Sequence, residues 1–287
     1  MASFRFTNMG ILHFIQEHPN PIGVALALGA IFISGVYIFS RRRSGGCLDP
    51  TKFKEFVLIK KTPISHNTAR FRFALPTPTS VLGLPVGQHV LCKGKDKDGR
   101  DVIGPYAPIT LDSDVGYFEL IVKMYPQGQL SHHFREMKEG DWLPVKGPVG
   151  RFKYKPNQAC AFGLIAGGAD ISTMFQLTRA ILENPKDKTD VYLIYANDTV
   201  GDILLKEEFD RFARNFPDRF TVYYVVKEAP ENWNGGVGYV TKEMIRTHCP
   251  PPASDVKIVT RGPLPMMKAV AAHLKELGYT RDMQIDL

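Results

Sequence analysis

Short apolar-rich runs, several of them alternating with polar positions, fill the chain from about Phe53 to Tyr154. FKEFVLIKK, ARFRFAL, GQHVLCKGK, YFELIVKMY and DWLPVKG are each the length of a strand, and clusters of Pro, Gly and Asp separate them. Such a series predicts a small antiparallel β-barrel.

The pattern changes after Pro156. AFGLIAG, VYLIYAN, FTVYYVV and DVKIVTR read as apolar strands, and helical segments follow them: Ser172 to Leu182, KEEFDRFARNF and MMKAVAAHLKELG. Strands alternating with helices predict an α/β domain with a parallel sheet, whose ligands bind at the carboxyl ends of its strands. No internal repeat is evident.

Ahead of both lies PIGVALALGAIFISGVYIFS, Pro21 to Ser40, a run without a charge. About 20 such residues suffice for a helix to cross a bilayer. Arg41, Arg42 and Arg43 follow at once, whereas the other flank offers only Arg5 against Glu17. The positive-inside rule then puts the bulk of the chain in the cytosol. A cleaved signal peptide fits less well, because the leading region is not basic and the apolar run is long. A buried core helix is the other alternative. The expected partner of residues 21–40 is membrane lipid, on the endoplasmic reticulum or the mitochondrial outer membrane. Ser44-Gly45-Gly46 forms a flexible joint after it.

Charge adds little to this picture. The net charge of +7 over 287 residues partly reflects the basic flank. It suits a surface beside anionic headgroups or a docking face for an acidic protein. Lys93, Lys95, Lys97 and Arg100 are a short basic run, most simply an exposed hairpin loop. Nothing resembles a nucleic-acid module. Cys47, Cys92, Cys160 and Cys249 are scattered without a C-x-x-C pair, which argues against zinc and suits reduced thiols. No metal cluster and no nucleophile–base set is recognisable.

The candidate chemistry lies in four loops. Gly104-Pro105-Tyr106-Ala107-Pro108 reads as a strand and turn, with or without a ligand. Gly128-Gln129-Leu130-Ser131 opens a helix, where backbone N–H groups suit a phosphate or where a serine simply caps. Gly167-Gly168-Ala169-Asp170-Ile171-Ser172-Thr173-Met174 joins a strand to a helix, and Asp170 is a good N-cap. Thr260-Arg261-Gly262-Pro263-Leu264-Pro265-Met266 is a strand-to-helix turn for which Gly262 and Pro263 suffice.

These loops, the barrel-then-α/β order, and the strings LGLPVGQHV, TLDSDVG, KMYPQG, SHHFREM, KGPVGRFKY, LIYAN, DILLKEE, GGVGYV and GPLPMMKA carry a resemblance. From Cys47 onward the chain resembles the ferredoxin-reductase-like superfamily, and most closely the membrane-anchored NADH–cytochrome b5 reductases of plants. The resemblance implies FAD and NADH as cofactors and cytochrome b5 as partner. Its surviving cofactor positions are Tyr106, Gly128, Ser131, Gly167, Gly168, Ser172, Gly262 and Pro263, and Tyr195-Ala196-Asn197, Thr199 and Asp202 match a nucleotide-side loop. The family pattern is altered at Gly104 (a basic residue in relatives), Ala107 (threonine), Ala169 (threonine or serine), Asp170 (glycine), Thr173 (proline), Arg261 (cysteine) and Leu264 (proline). Many relatives carry Lys or Arg at the position of Gln129.

The organisation expected is a membrane anchor and linker over 1–46, a β-barrel FAD-type domain over 47–155 and an α/β NADH-type domain over 156–287. Each lost charged hydrogen bond to a phosphate removes roughly 1.5–3 kcal/mol. A carboxylate beside a phosphate costs on the order of 4 kcal/mol at about 4 Å. The sequence therefore predicts weak or absent binding of FAD and NADH, and reductase activity lost or severely impaired on an intact scaffold. The alternative is an active FAD-dependent reductase passing electrons from NADH to cytochrome b5.

Overall fold

The computed structural model describes residues 46–285. The proposed span over 21–40 lies outside them; among the described residues no helix is long and apolar enough to cross a membrane.

The first half builds β1 (Lys54–Ser65), β2 (Thr68–Ala74), β3 (His89–Lys95), β4 (Asp101–Tyr106), β5 (Tyr117–Lys123), helix α1 (Gln129–Glu136) and β6 (Trp142–Val149). All pairings are antiparallel, in the order β4-β3-β6-β1-β2-β5. The expected barrel is thus a six-stranded sheet with β4 and β5 at its edges, and α1 packs against β3, β4 and β5. Alternate residues of β1 and β6, Phe56 and Leu58, Leu143 and Val145, turn inward onto Phe71, Phe73 and Phe118. Ring contacts at 5.2 Å (Phe56–Phe118) and 5.1 Å (Phe73–Phe118) tie this core together. Lys61 reaches across to donate to the carbonyls of Phe134, Arg135 and Met137 at 3.0, 2.8 and 2.8 Å, which caps the negative end of α1.

The second half contains β7 (Ala161–Gly167), α2 (Ile171–Leu182), β8 (Asp190–Asn197), α3 (Lys206–Asn215), β9 (Phe220–Val226), β10 (Gly236–Val237), α4 (Lys242–His248), β11 (Val256–Arg261), α5 (Leu264–Glu276) and β12 (Gln284–Ile285). Its sheet is wholly parallel, in the order β10-β9-β8-β7-β11-β12. β7 is central and every residue of it is buried, as a strand covered by helices on both faces should be.

Two loop expectations change. Asp170 stands at the start of α2 but makes no side-chain cap hydrogen bond. It has helical dihedrals (φ −68°, ψ −2°), because the 3-10 turn Gly168–Asp170 runs straight into the helix, whereas a capping side chain needs an extended backbone. Ser131 does not cap α1 either; Gly128 occupies that position and Ser131 is buried one turn inside.

The two sheets are joined through α2. Gln176, 1% exposed, accepts from the Gly87 backbone N–H at 2.9 Å and donates to the Pro108 carbonyl at 3.2 Å. Beside it Arg179 forks onto Asp114 at 2.7 and 3.2 Å. Lys123–Asp202 (2.9 Å) and Arg70–Glu208 (2.7 Å) add two further pairs across the same junction. Replacing Gln176 by Leu strands a buried donor and a buried acceptor at about 1–3 kcal/mol each. We expect Gln176→Leu to lower unfolding free energy by roughly 2 kcal/mol or more in urea titrations; a loss under about 0.5 kcal/mol would remove Gln176 from this role.

Candidate functional site

A cleft of about 320 Å³ opens where the carboxyl ends of β7 and β11 face the first sheet. It brings together Tyr106, Ala107, Ser131, Gly167, Gly168, Ala169, Asp170, Ser172, Thr173, Arg261 and Pro263, drawn from all four loops singled out in the sequence. Gly104, Gly128, Gly262 and Leu264 are not among its lining residues. Gln88, His89, Ile121, Lys123 and Tyr125 are, and sequence reasoning gave them no role. Only the presence of Gln88 and His89 in LGLPVGQHV and of Lys123 and Tyr125 in KMYPQG hinted at them; Ile121 lies in the strand run YFELIVKMY.

Tyr106 ends β4 with its ring 5.0 Å from that of Phe134, and burial raises its phenol pKa. Gly104 lies on the same face of that strand. A Cβ added there would stand 3.3 Å from both Leu130 Cδ2 and Tyr106 Cε2, ends of side chains that can move a few tenths of an ångström.

Gly167 and Gly262 have a packing role. A Cβ on Gly167 would meet Met266 Sδ at 2.6 Å and Pro263 Cδ at 3.0 Å, and one on Gly262 would meet the Gly167 backbone nitrogen at 3.2 Å. Two strand-to-helix turns therefore touch backbone to backbone, which no larger residue permits. Gly168 (φ 58°) is held in turn by Tyr195, whose hydroxyl donates to its carbonyl at 3.0 Å.

The polar content of the cleft is mixed. Ser172 is 5% exposed and its hydroxyl has no hydrogen-bond partner in the protein. A buried hydroxyl left unmatched marks a place where a ligand atom can bind. Desolvation by the cleft walls raises the Asp170 carboxyl pKa although the residue is exposed at the rim, and the Arg261 cation partly offsets the rise. Burial, with Arg261 adding to it, lowers the pKa of His89. Arg261 therefore acts electrostatically on both walls. Lys123 lines the cleft with its ammonium paired to Asp202. Among the described residues no group of His, Cys, Asp and Glu is arranged to hold a metal ion.

A six-stranded antiparallel sheet, a parallel sheet and a glycine-turn cleft between them are the frame of a two-domain oxidoreductase of the flavin and nicotinamide class. Two family models agree: the oxidoreductase FAD-binding domain matches residues 55–154 and the oxidoreductase NAD-binding domain matches 164–272. NADH–cytochrome b5 reductase 1 of Arabidopsis thaliana is 60% identical over 264 residues, covering 92% of this chain and 94% of the relative. The protein of the same name from Meyerozyma guilliermondii is 44% identical over 269 residues, covering 93% and 94%. The crystal structure of the cytochrome b5 reductase domain of Ulva prolifera nitrate reductase superimposes with a TM-score of 0.81 at 32% identity, over 85% of this chain and all of that one. The chain belongs to the NADH–cytochrome b5 reductase family.

The open Gly168 turn and the unmatched Ser172 hydroxyl are the observations that favour a ligand in this cleft, and they suit the phosphate-rich FAD and dinucleotide of the two matched domains. The sign of Asp170 can be tested directly. Its folded pKa lies above the unfolded one, so the folded state binds the proton more tightly and stability falls as pH rises from the usual carboxylate range through the folded pKa. We expect Asp170→Asn to abolish that loss: its Tm advantage over the parent should grow from about pH 4 upward and then level. A pH-independent difference would refute the raised carboxyl. Arg261→Cys removes the offsetting cation and should enlarge the effect.

Proposed function

We propose that the chain is an FAD- and NADH-using reductase of the cytochrome b5 type whose turnover is held well below that of relatives with complete motifs. The observation that carries this reading is the cleft itself, where Tyr106, Ser131, the Gly168 turn and the unmatched Ser172 hydroxyl converge. A bound flavin would accept a hydride and release electrons singly. This chain's own residues would do the positioning. Tyr106 would pack on the ring, the start of α1 with Ser131 would take a phosphate, and the Gly168–Ser172 turn would take the dinucleotide. Cytochrome b5 is the proposed acceptor, by kinship with the relatives bearing that name. Residues 21–40 are proposed to hold the chain on a membrane with the catalytic part in the cytosol, and 47–155 and 156–287 to be its two cofactor domains.

Asp170 and Arg261 account for the low turnover. A carboxylate at the nucleotide turn opposes phosphate by on the order of 4 kcal/mol at close range. The Arg261 cation offsets part of that repulsion but lines the cleft where two rings would have to meet. Hydride transfer tolerates misplacement of only about 0.5 Å.

A second reading, a family scaffold that binds neither cofactor, is favoured by Gly104, which offers no cation beside Tyr106. The full chain in detergent, incubated with FAD and then NADH, separates the two. A flavin absorption band that bleaches supports the reductase; a folded protein with no band supports the scaffold. Gly104→Arg restores a charge-assisted bond of roughly 1.5–3 kcal/mol and should tighten FAD binding by about one to two decades. Combining it with Ala107→Thr, Asp170→Gly and Arg261→Cys should raise NADH-dependent cytochrome b5 reduction by at least about tenfold, equivalent to 1.4 kcal/mol. An unchanged rate would clear these four positions of responsibility.

A further inference from the structure

The outward side of the β4-β3-β6-β1 portion of the first sheet is unusually apolar. Trp142 is 57% exposed, Ile103 55% and Ile59 47%. Pairing sets their neighbours side by side, with Val57 opposite Trp142 and Lys93 opposite Ile103. Lysines are interleaved with them. Lys146 lies 5.1 Å from the centre of the Phe53 ring; Lys93 stands opposite Ile103 and Lys95 opposite Asp101, and both ammonium groups pair with Asp101 at 2.7 and 2.5 Å, a solvent-exposed cluster with one excess positive charge. An exposed tryptophan and isoleucines among long amphipathic cations is the composition of a surface resting at a lipid–water boundary, where the stems bury and the ammonium groups reach headgroups.

The path of the chain points to the same occupant. The Cys47 N–H donates to the Val81 carbonyl and the Gly147 N–H to the Asp49 carbonyl, so the chain joins this sheet one residue from Lys146. The uncharged run ends at Ser40, and Arg41, Arg42 and Arg43 come next. The seven steps from Ser40 to Cys47 can span at most about 25 Å when fully extended. A bilayer holding residues 21–40 would thus lie within that distance of Cys47.

We propose that this outer sheet face docks on the headgroup region of an anionic bilayer, with Trp142 at the interface and with Lys146 and the net positive Lys93–Lys95–Asp101 cluster toward lipid phosphates. The inference rests on the reading of residues 21–40 as a membrane span.

The chain has two tryptophans, and neither lies in the first 45 residues. The other, Trp233, is half-buried in the second domain and donates to the Gly236 carbonyl at 2.9 Å. The full chain is reconstituted into vesicles of phosphatidylcholine and phosphatidylserine, with and without bromine on the acyl chains. Trp233→Phe leaves Trp142 as the emitter, and its fluorescence should be strongly quenched by the brominated lipid. Trp142→Phe leaves Trp233, whose emission should not change. The difference between the parent and Trp142→Phe gives the same quantity if Trp233→Phe fails to fold. Protein that floats with the vesicles while Trp142 stays unquenched overturns the docking face, leaves the span standing, and makes this face one for a protein partner. Protein that does not float with the vesicles overturns both.

Discussion

Gln176 joins one helix to two loops of the other domain, and the cleft depends on this. Its carboxamide has one acceptor end and one donor end. The Gly87 N–H and the Pro108 carbonyl satisfy them from opposite directions, with the side chain fully buried. An unpaired amide in that position would cost more than the two bonds contribute, so the arrangement selects a single relative placement of α2 and the loops around Gly87 and Ala107. Both loops line the cleft. Arg179–Asp114, Lys123–Asp202 and Arg70–Glu208 surround this junction. Partly buried pairs of this kind add modest net stability, because desolvation offsets attraction, but they discriminate against other placements.

Much of the architecture was legible because periodicity is local. The four apolar strands of the parallel sheet and the helix near Ser172 follow from their runs, and α2 begins one residue before the expected position. β4 was legible only at its end, in the strand and turn read at Gly104–Pro108, because Gly104 and Pro105 interrupt its pattern. It tolerates the proline because it is an edge strand and needs hydrogen bonds from one side only. The short α4 and the two-residue strands β10 and β12 carry too few positions for a period to emerge.

The site was legible in part. Eleven of the fifteen residues singled out converge on the cleft: Tyr106, Ala107, Ser131, Gly167, Gly168, Ala169, Asp170, Ser172, Thr173, Arg261 and Pro263. His89, Lys123 and Tyr125 join them only through tertiary folding, since nothing in a strand's own pattern says which end will face another domain. Gly167 and Gly262 looked like positions kept open for a ligand. The contacts of their missing side chains with Met266, Pro263 and each other show that the fold requires glycine there whether or not a ligand binds. Their survival therefore says nothing about activity, and the inference must rest on residues with no such packing duty, such as Ser172.

Asp170 and Arg261 have to be weighed together. Alone, a carboxylate at the turn into α2 would repel a phosphate, and a guanidinium lining the same cleft would take up space. In this cleft each sits in the field of the other. The net charge introduced by the pair is zero, so the long-range repulsion of a dinucleotide is weaker than that of Asp170 by itself. What remains is short-range: the space the two side chains occupy when a ligand arrives. Such a cost falls on the precision of cofactor placement more than on encounter with the cofactor. An altered pair of side chains on an otherwise complete architecture therefore bears on how a cofactor is seated, and does not require the site to have been abandoned.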